Sequence, residues 1–494
     1  MTATLRFGAL LLAAMLPACL SGCLSNPPYQ RPSLPLPDAW HTPLATDTAA
    51  EIQASDDWWA SFHDAELQQL LQRALQDSPD LRIAVDRMLA AGASIRVARS
   101  YQYPSLSFDA GPTDPVILRL AGQSTHSHVD DAHYEVGLNA SYEIDFWGRV
   151  SNSVSAARSQ YLATAFDVDS ARIALLSAVA RAYFDLRESD EMLALATQKA
   201  ALADEHVRLL QLRLQAGRIV AGTVIEAQLA AQDTQAAFAD LRLQRQTALQ
   251  QLQALLGDTA ESLQITAAPL RERVRAPAPA AGLPSSLLQR RADIRAAEAQ
   301  LVAAQAKVAV ARAERFPQVQ LTAQFGYLTA AVVHILHSGS ALIGIGPGVS
   351  LPIFDGGRSA AEVEIRQHQY DAALAEYQKS ILAAFGDVEK ALLGYQAALA
   401  ANQRWAAAQD LQAAQIQRLQ LALDAGHADR LQLIESQQRA IELQLSALLA
   451  YRQHLDSMVL LYQALGGASS STGAAAAGIE GGDSAATPAS VESH

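Results

Sequence analysis

The sequence predicts an α+β membrane protein. Each chain contributes four strands to a β-barrel shared with other copies, and long helices project from the base of that barrel. Three observations carry the prediction. The stretch YEVGLNASYEIDFW, Tyr134 to Trp147, alternates apolar with polar or small residues, the period of a strand with one greasy and one wet face. From Val150 to Ala216 there is no Pro and no Gly, so a single helix on the order of 100 Å follows at 1.5 Å per residue. The third observation is that the chain repeats itself.

Composition bounds the rest. The 494 residues suffice for two or more domains or one elongated one, and half of them are hydrophobic. No apolar run approaches the roughly 18 residues of a spanning helix, whereas the signal of a membrane strand is weak per segment. A net charge of −13 argues against nucleic acid and against a basic membrane-surface patch. Both cysteines, Cys19 and Cys23, lie near the N-terminus, so no disulfide braces the body.

Residues 1–22 read as an export signal: Arg6, an apolar core from Phe7 to Leu16, then Leu20-Ser21-Gly22 before Cys23. The L-S-G-C ending looks like a bacterial lipoprotein box, which makes Cys23 the lipidated first residue of the mature chain. That covalent lipid is the one non-protein group expected; no cofactor is. Cys19 is a poorer copy, because Pro17 sits inside its box. Leu24 stands where an inner-membrane retention signal would place Asp, which favours lipid anchoring in the outer membrane. Residues 23–60 form an extended N-terminal arm, with prolines between Asn26 and Ile52, expected along a neighbouring surface.

The duplication is read from matched pairs. Asp80-Leu81-Arg82 matches Asp293-Ile294-Arg295 and Pro104 matches Pro317, at a constant offset of 213. Gly148-Arg149 matches Gly357-Arg358, Ala216-Gly217 matches Ala425-Gly426, and Leu256-Gly257 matches Leu465-Gly466, at an offset of 209. The four-residue drop falls in the strand region, where a loop absorbs it without rotating a helix face. The first repeat spans 61–265, a Pro- and Ala-rich linker 266–282, the second repeat 283–467, and a Gly/Ser/Ala tail 468–494 reads as disordered.

Each copy reads helix, strand, strand, long helix, turn, helix. Ser78 as N-cap and Pro79 at the first helical position start the first helix, which runs to about Tyr101 and is stopped by Pro104. Leu106, Phe108 and Ala110 alternate with Ser105, Ser107 and Asp109 in one strand, and the opening stretch is the next. Asp145 to Arg149 turns into the long helix, and after Gly217 to Gly222 a return helix runs to Leu256. Leu195, Leu202 and Leu209, with Leu212, suggest coiled-coil-like packing near that turn. In the second copy, strands are expected through Val319 to Tyr327 and through Ile343 to Ile353. Closed spanning barrels begin at about eight strands and lipid tolerates no open edge, so one chain cannot close a barrel.

Several segments together resemble one family: PPYQRP, WWASFHDAELQQLLQRALQDSPDLR, RRADIRAAEAQL, LPIFDGGR, the two AG turns followed by VIEAQ and LIESQ, and the closing YQALGG. From Cys23 to Gly467 the chain resembles the TolC/OprM-type outer membrane efflux proteins, specifically their lipoprotein (NodT-like) branch. The resemblance implies a homotrimer whose twelve-stranded barrel is continuous with an α-helical periplasmic barrel. It also implies export of small molecules, drugs and toxic organics among them, with a periplasmic adaptor and a proton-driven inner-membrane pump as partners. An outer membrane duct for type I protein secretion is the runner-up, since the same tube serves both. Ala292 departs from the family, which usually has Pro there, and should let its helix start earlier.

No Ser/His/Asp set, Cys/His pair, H-E-x-x-H or phosphate-cradling loop occurs, so an enzyme has no candidate residues. THSHVDDAH offers His126, His128 and His133 as metal ligands, but it falls where the polar outer loop of the first hairpin belongs. The turns LQAGRIVAGT and LDAGHADRLQ are more informative. Gly217 and Gly426 suit left-handed helix ends, and the resemblance makes them adaptor-facing tips. Asp424 and Asp429 read either as solvated caps or, through the resemblance, as lining a constricted channel aperture, where copies would form a ring suited to cations. Asp429 is expected in the first turn of the return helix.

Overall fold

The computed structural model describes residues 29–32, 37, 39–42, 58–113, 133–258, 263, 265–277, 287–329 and 341–467. After a 3-10 turn at Trp58–Phe62 come helices α1 (Ala65–Asp77) and α2 (Pro79–Ser100), strands β1 (Ser105–Thr113) and β2 (His133–Ile144), then α3 (Arg149–Gln215) and α4 (Ala221–Leu255). Short helices α5 (Leu270–Arg273) and α6 (Leu287–Arg290) precede α7 (Ala292–Ala313), β3 (Gln318–Thr329), β4 (Ala341–Ser350), α8 (Arg358–Asp424) and α9 (Arg430–Ala464). The helices come in matched pairs: 22 residues in α2 and α7, 67 in α3 and α8, 35 in α4 and α9. No described helix is long and apolar enough to cross a membrane. The described residues fall into two compact units: one takes in residues 29–32, 87–113, 133–164, 296–329 and 341–378, the other residues 37, 39–42, 58–86, 165–258, 263, 265–277, 287–295 and 379–467.

The first unit holds the sheet, antiparallel throughout in the order β1-β2-β3-β4. Register aligns like with like. Phe108, Leu138, Phe325 and Ile343 form one cross-strand row, and Leu106, Ala140, Ala323 and Ile345 the next. Because side chains alternate with period two, Asp109, Asn139 and Gln324 share the other face. There the Asn139 amide donates to Asp109 at 2.7 Å and Ser107 donates to the same oxygen at 3.0 Å. At the strand-to-helix turns, Asp145 accepts from Val150 N and Ser151 N at 3.0 and 2.8 Å, and Asp355 does the same for Gly357 N and Ser359 N. These carboxylates satisfy the orphan donors of α3 and α8.

Two expectations change in this unit. β4 ends at Ser350, so Leu351 to Ile353 lie outside it, and Ile353 is 93% exposed. Pro352 has no N–H for the ladder, and β3 offers no residue beyond Gln318 to pair with. The arm, expected on a neighbouring surface, grips its own chain: Arg31 forks onto Glu298 at 2.6 and 2.7 Å and Tyr29 donates to it at 3.2 Å. In the second unit the arm continues on its own chain, with Trp40 against Phe385 and with His41 N and Thr42 donating to Glu389 at 2.7 and 2.9 Å.

The core of the second unit gathers Phe62, Leu67, Leu71, Phe184, Leu252 and Leu455. Helix α1 was not anticipated. Asp64 caps it, accepting from Glu66 N at 2.9 Å and Leu67 N at 3.2 Å, and its buried stripe is Leu67, Leu70, Leu71 and Ala74. Asp64 also accepts the Tyr183 hydroxyl at 2.7 Å, which ties α1 to α3. Arg187, fully buried, donates to Glu66 and to the Thr266 carbonyl, and Arg245 completes Asp190 at 2.6 Å. Helix α7 starts at Ala292 and no earlier, in register with Pro79. The Arg291 fork onto Asp293, with its third hydrogen bond to the Ala464 carbonyl at 3.0 Å, holds residue 291 out of the helix. Leu195 is buried as the heptad requires, but Leu212 is exposed; Leu210 takes the inward position near the turn.

The sheet yields a test. A Cβ on Gly326 would lie 2.5 Å from the Val136 carbonyl oxygen and 2.6 Å from Gly137 Cα, while one on Gly344 meets nothing within 4 Å. Gly326→Ala should therefore force β2 and β3 apart at about 1–3 kcal/mol, the usual cost of overpacking. Gly344→Ala should be near neutral. The fraction migrating as folded species in mild-detergent electrophoresis over a heating series measures both.

Candidate functional site

Two helical hairpins of the second unit end in turns built alike. At the first, Gly217 takes φ +70°, its N–H donates to Leu214 O at 2.9 Å, and Arg218 N donates to Arg213 O at 2.9 Å. At the second, Gly426 takes φ +76°, with Gly426 N to Leu423 O at 3.0 Å and His427 N to Ala422 O at 2.8 Å. Each is a Schellman closure of a helix end, which needs a left-handed residue and so favours glycine. The structure thus places both predicted glycines as helix terminators. Leu210, Val224 and Leu431 pack together beneath the turns and join the two hairpins.

The helices that leave the turns differ. Val220 caps α4 with no side-chain hydrogen bond and stands exposed. Asp429, at the matching position, is the N-cap of α9 rather than a residue of its first turn. Its Oδ1 accepts from Leu431 N at 3.2 Å, and Gln432 answers by accepting from Asp429 N at 3.4 Å, a capping box. Asp429 also pairs with Arg213 in the last turn of α3. The Arg213 guanidinium and the Leu431 amide hold the Asp429 carboxyl below its usual range. Sequence reasoning missed Arg213. Its counterpart in the second repeat is Ala422, so no repeat signal marked it; the cue was a cation in the last helical turn.

Asp424, the last residue of α8, is exposed, and Gln420 donates to it at 3.1 Å. A carboxylate at a helix C-terminus faces the negative end of the dipole, so its own helix gains nothing from it. The structure therefore separates the two predicted aspartates: Asp429 is engaged, and Asp424 is held out to solvent. Cys23, His126 and His128 lie outside the described residues, as does the side chain of His133, whose backbone opens β2. Among the described residues no group of three or more His, Cys, Asp or Glu could hold a metal ion.

Comparison with known proteins decides the family. The family model described as outer membrane efflux protein matches residues 70–258 and again 283–467. The chain belongs to the outer membrane efflux protein family. It is 33% identical over 469 residues to the pyoverdine export outer membrane protein OpmQ of Pseudomonas aeruginosa, covering 92% of this chain and 96% of that one. It is 31% identical over 470 residues to the solvent efflux pump outer membrane protein SrpC of Pseudomonas putida, covering 94% and 98%. Among solved structures, the open state of the Neisseria gonorrhoeae MtrE outer membrane channel superposes with a TM-score of 0.78 at 26% identity, over 90% of this chain and 98% of that one. This efflux channel thus carries one helical hairpin turn in each of the two stretches that match the family model.

The Arg213–Asp429 pair has a predictable pH response. A depressed carboxyl means that the folded tip binds the proton less tightly than the unfolded chain does. The pair's contribution is fully present above about pH 4 and is lost as pH falls through the folded value. Both side chains are more than a third exposed, 38% and 37%, so the pair contributes about 0–1 kcal/mol. Asp429→Asn should keep the cap and speed amide exchange of the 424–431 segment up to about fivefold at pH 7, with the difference from wild type shrinking as pH falls below about 4. Asp429→Ala, which also loses the cap, should add about 1 kcal/mol. Hydrogen exchange read by mass spectrometry checks both.

Proposed function

We propose that three copies pair β4 of one with β1 of the next to close a twelve-stranded barrel in the outer membrane. Their helices continue the channel across the periplasm. A periplasmic adaptor and a proton-driven inner-membrane pump deliver small molecules, drugs and toxic organics among them, for release outside. One observation carries the reading: a four-stranded sheet with two unpaired edges and a bare apolar face. Phe108, Ile343, Ile345 and Val349 on that face are 66–78% exposed. Strands of 9, 12, 12 and 10 residues match the 9–11 or so that a tilted membrane strand needs. An apolar face suits lipid; open edges in lipid do not persist, and pairing with further copies removes them. The export and solvent-efflux roles of OpmQ and SrpC support the small-molecule reading over protein secretion.

At the periplasmic mouth, Gly217 and Gly426 shape the tips that face the adaptor, and Asp424 and Asp429 line the aperture. Since Arg213 offsets Asp429 within the chain, Asp424 dominates the field there. Cys23 carries the lipid, which assists targeting and not closure, because a diacyl anchor only adds to an existing strand attachment.

Mass measurement of the detergent-extracted particle should give three copies; a stable monomer that still resists extraction from membranes rules out the shared barrel. Labelled palmitate should enter wild type and not Cys23→Ser. In planar bilayers, Asp424→Asn should weaken cation preference more than Asp429→Asn. Unchanged selectivity in both variants and in the double variant would reduce the two aspartates to solvated helix ends.

A further inference from the structure

Arg452 of α9 is nearly buried, its side chain 9% exposed. Its Nη2 donates to Asp185 of α3, and its Nη1 pairs with Asp456 one turn further along α9. Arg181 of α3 donates to the other oxygen of Asp456 at 3.3 Å. Two guanidiniums are thereby matched by two carboxylates. A third carboxylate, Glu188, follows Asp185 on α3 with its side chain 15% exposed. Its Oε2 lies 3.9 Å from Arg452 Nε, beyond hydrogen-bond reach, and that buried Nε has no partner among the described residues.

No neighbouring element supplies the missing cation. On α5, Arg271 faces Glu191 at 3.6 Å, and Glu191 itself adds negative charge near Glu188. On α9, burial pushes the His454 imidazole down and so disfavours its cationic form, with the ring edge-on to Tyr395 of α8 at 5.2 Å. Around α3, Arg187 is committed to Glu66, Asp190 and the Thr266 carbonyl, and Arg245 of α4 is committed to Asp190. Glu188 is the surplus charge.

We propose that this joint between α3 and α9 is a proton-responsive clamp: one proton taken up by Glu188 balances the cluster at two carboxylates against two guanidiniums and tightens the contact between the repeats. Burial first, with the Asp185 and Glu191 charges adding and Arg452 opposing, pushes the Glu188 carboxyl up to about 7. The folded chain then holds this proton more tightly than the unfolded one. The stabilisation is fully present below the unfolded value of about 4.5 and is lost as pH rises through about 7. Arg213 lies on α3 and Asp429 caps α9, so the clamp and the tip pair fasten the same two helices, on the order of 35 Å apart along α9. The clamp rests on the α3–α9 contact alone and stands apart from the reading of how copies assemble and what they carry.

The test is hydrogen exchange of the full detergent-extracted chain from pH 5.5 to 8.5, normalised to intrinsic exchange at each pH and read in segments 181–191 and 448–458. Wild type should lose protection on the order of tenfold across that range, less than the full shift because the site is partly wet. Glu188→Gln should hold protection flat at the acid level. Asp185→Asn, which removes a different carboxylate of the same cluster, should flatten the profile as well and carries the test if Glu188→Gln does not fold. Either variant keeping the wild-type pH profile, or wild-type protection rising with pH, overturns the clamp.

Discussion

Backbone N–H and C=O groups along the outer edges of β1 and β4 have no ladder partner within the chain's sheet. In water such edges would be blunted by charge, a bulge or a covering helix. Here β1 ends its exposed row with Leu106 and Phe108, and β4 presents Ile343, Ile345 and Val349. In the proposed barrel those residues would meet hydrocarbon on one side, and another strand would cover each edge. Each strand also continues into a helix or emerges from one: α2 into β1, β2 into α3, α7 into β3, β4 into α8. Strand order therefore dictates helix order within the unit, and Asp145 and Asp355 hold the two strand-to-helix turns through their backbone hydrogen bonds.

Arginine organises the second unit. Arg187, Arg291 and Arg452 are each buried and each faces two or more carboxylates. Such clusters do not add much stability over a well-packed apolar alternative, since desolvation offsets most of the Coulomb gain. They are intolerant of error: removing one partner strands a charge at about 3–5 kcal/mol. Arg187 and Arg291 also reach the Thr266 and Ala464 carbonyls, a reach that a planar fork provides and a lysine does not. Arg187 and Arg452 thereby set register between α3 and the segments around it, including the cross-repeat contact of Arg452 with Asp185, while Arg291 ties the start of α7 to α8 and α9.

Periodic features were legible in the sequence, and single long-range contacts were not. Strand alternation and the offsets of 213 and 209 carry through to the helix ends, because a helix boundary is set by local chemistry that the duplication copied. Gly217 and Gly426 were legible for the same reason: a Schellman end needs a residue with positive φ. Helix α1 was within reach through Asp64 and its stripe of leucines, but lies ahead of the clear start at Ser78-Pro79. The end of β4 was misjudged because Ile353 keeps the alternation that Pro352 interrupts. Arg213 and the carboxylates Glu298 and Glu389 left no mark in the repeat, since their matched positions are Ala422, Val85 and Ala180.

Those mismatched positions share a logic. Packing positions survive duplication almost unchanged: Leu214 matches Leu423, Gly217 matches Gly426, and Val224 matches the buried Leu433. The departures are charges placed on one copy only: Asp429 against Val220, Arg213 against Ala422, Glu298 and Glu389 against Val85 and Ala180. A backbone built twice presents two equivalent surfaces, and a partner or an arm that binds one must be told which. Apolar packing cannot carry that distinction without disturbing the fold, because a core change is felt throughout a close-packed interior. A surface or half-buried charge can. In the proposed three-copy channel, six similar hairpin turns would ring the mouth, and the Arg213–Asp429 pair, together with Asp424 against Gln215, would divide them into two alternating kinds, one latched and one with an exposed Val220 at its cap.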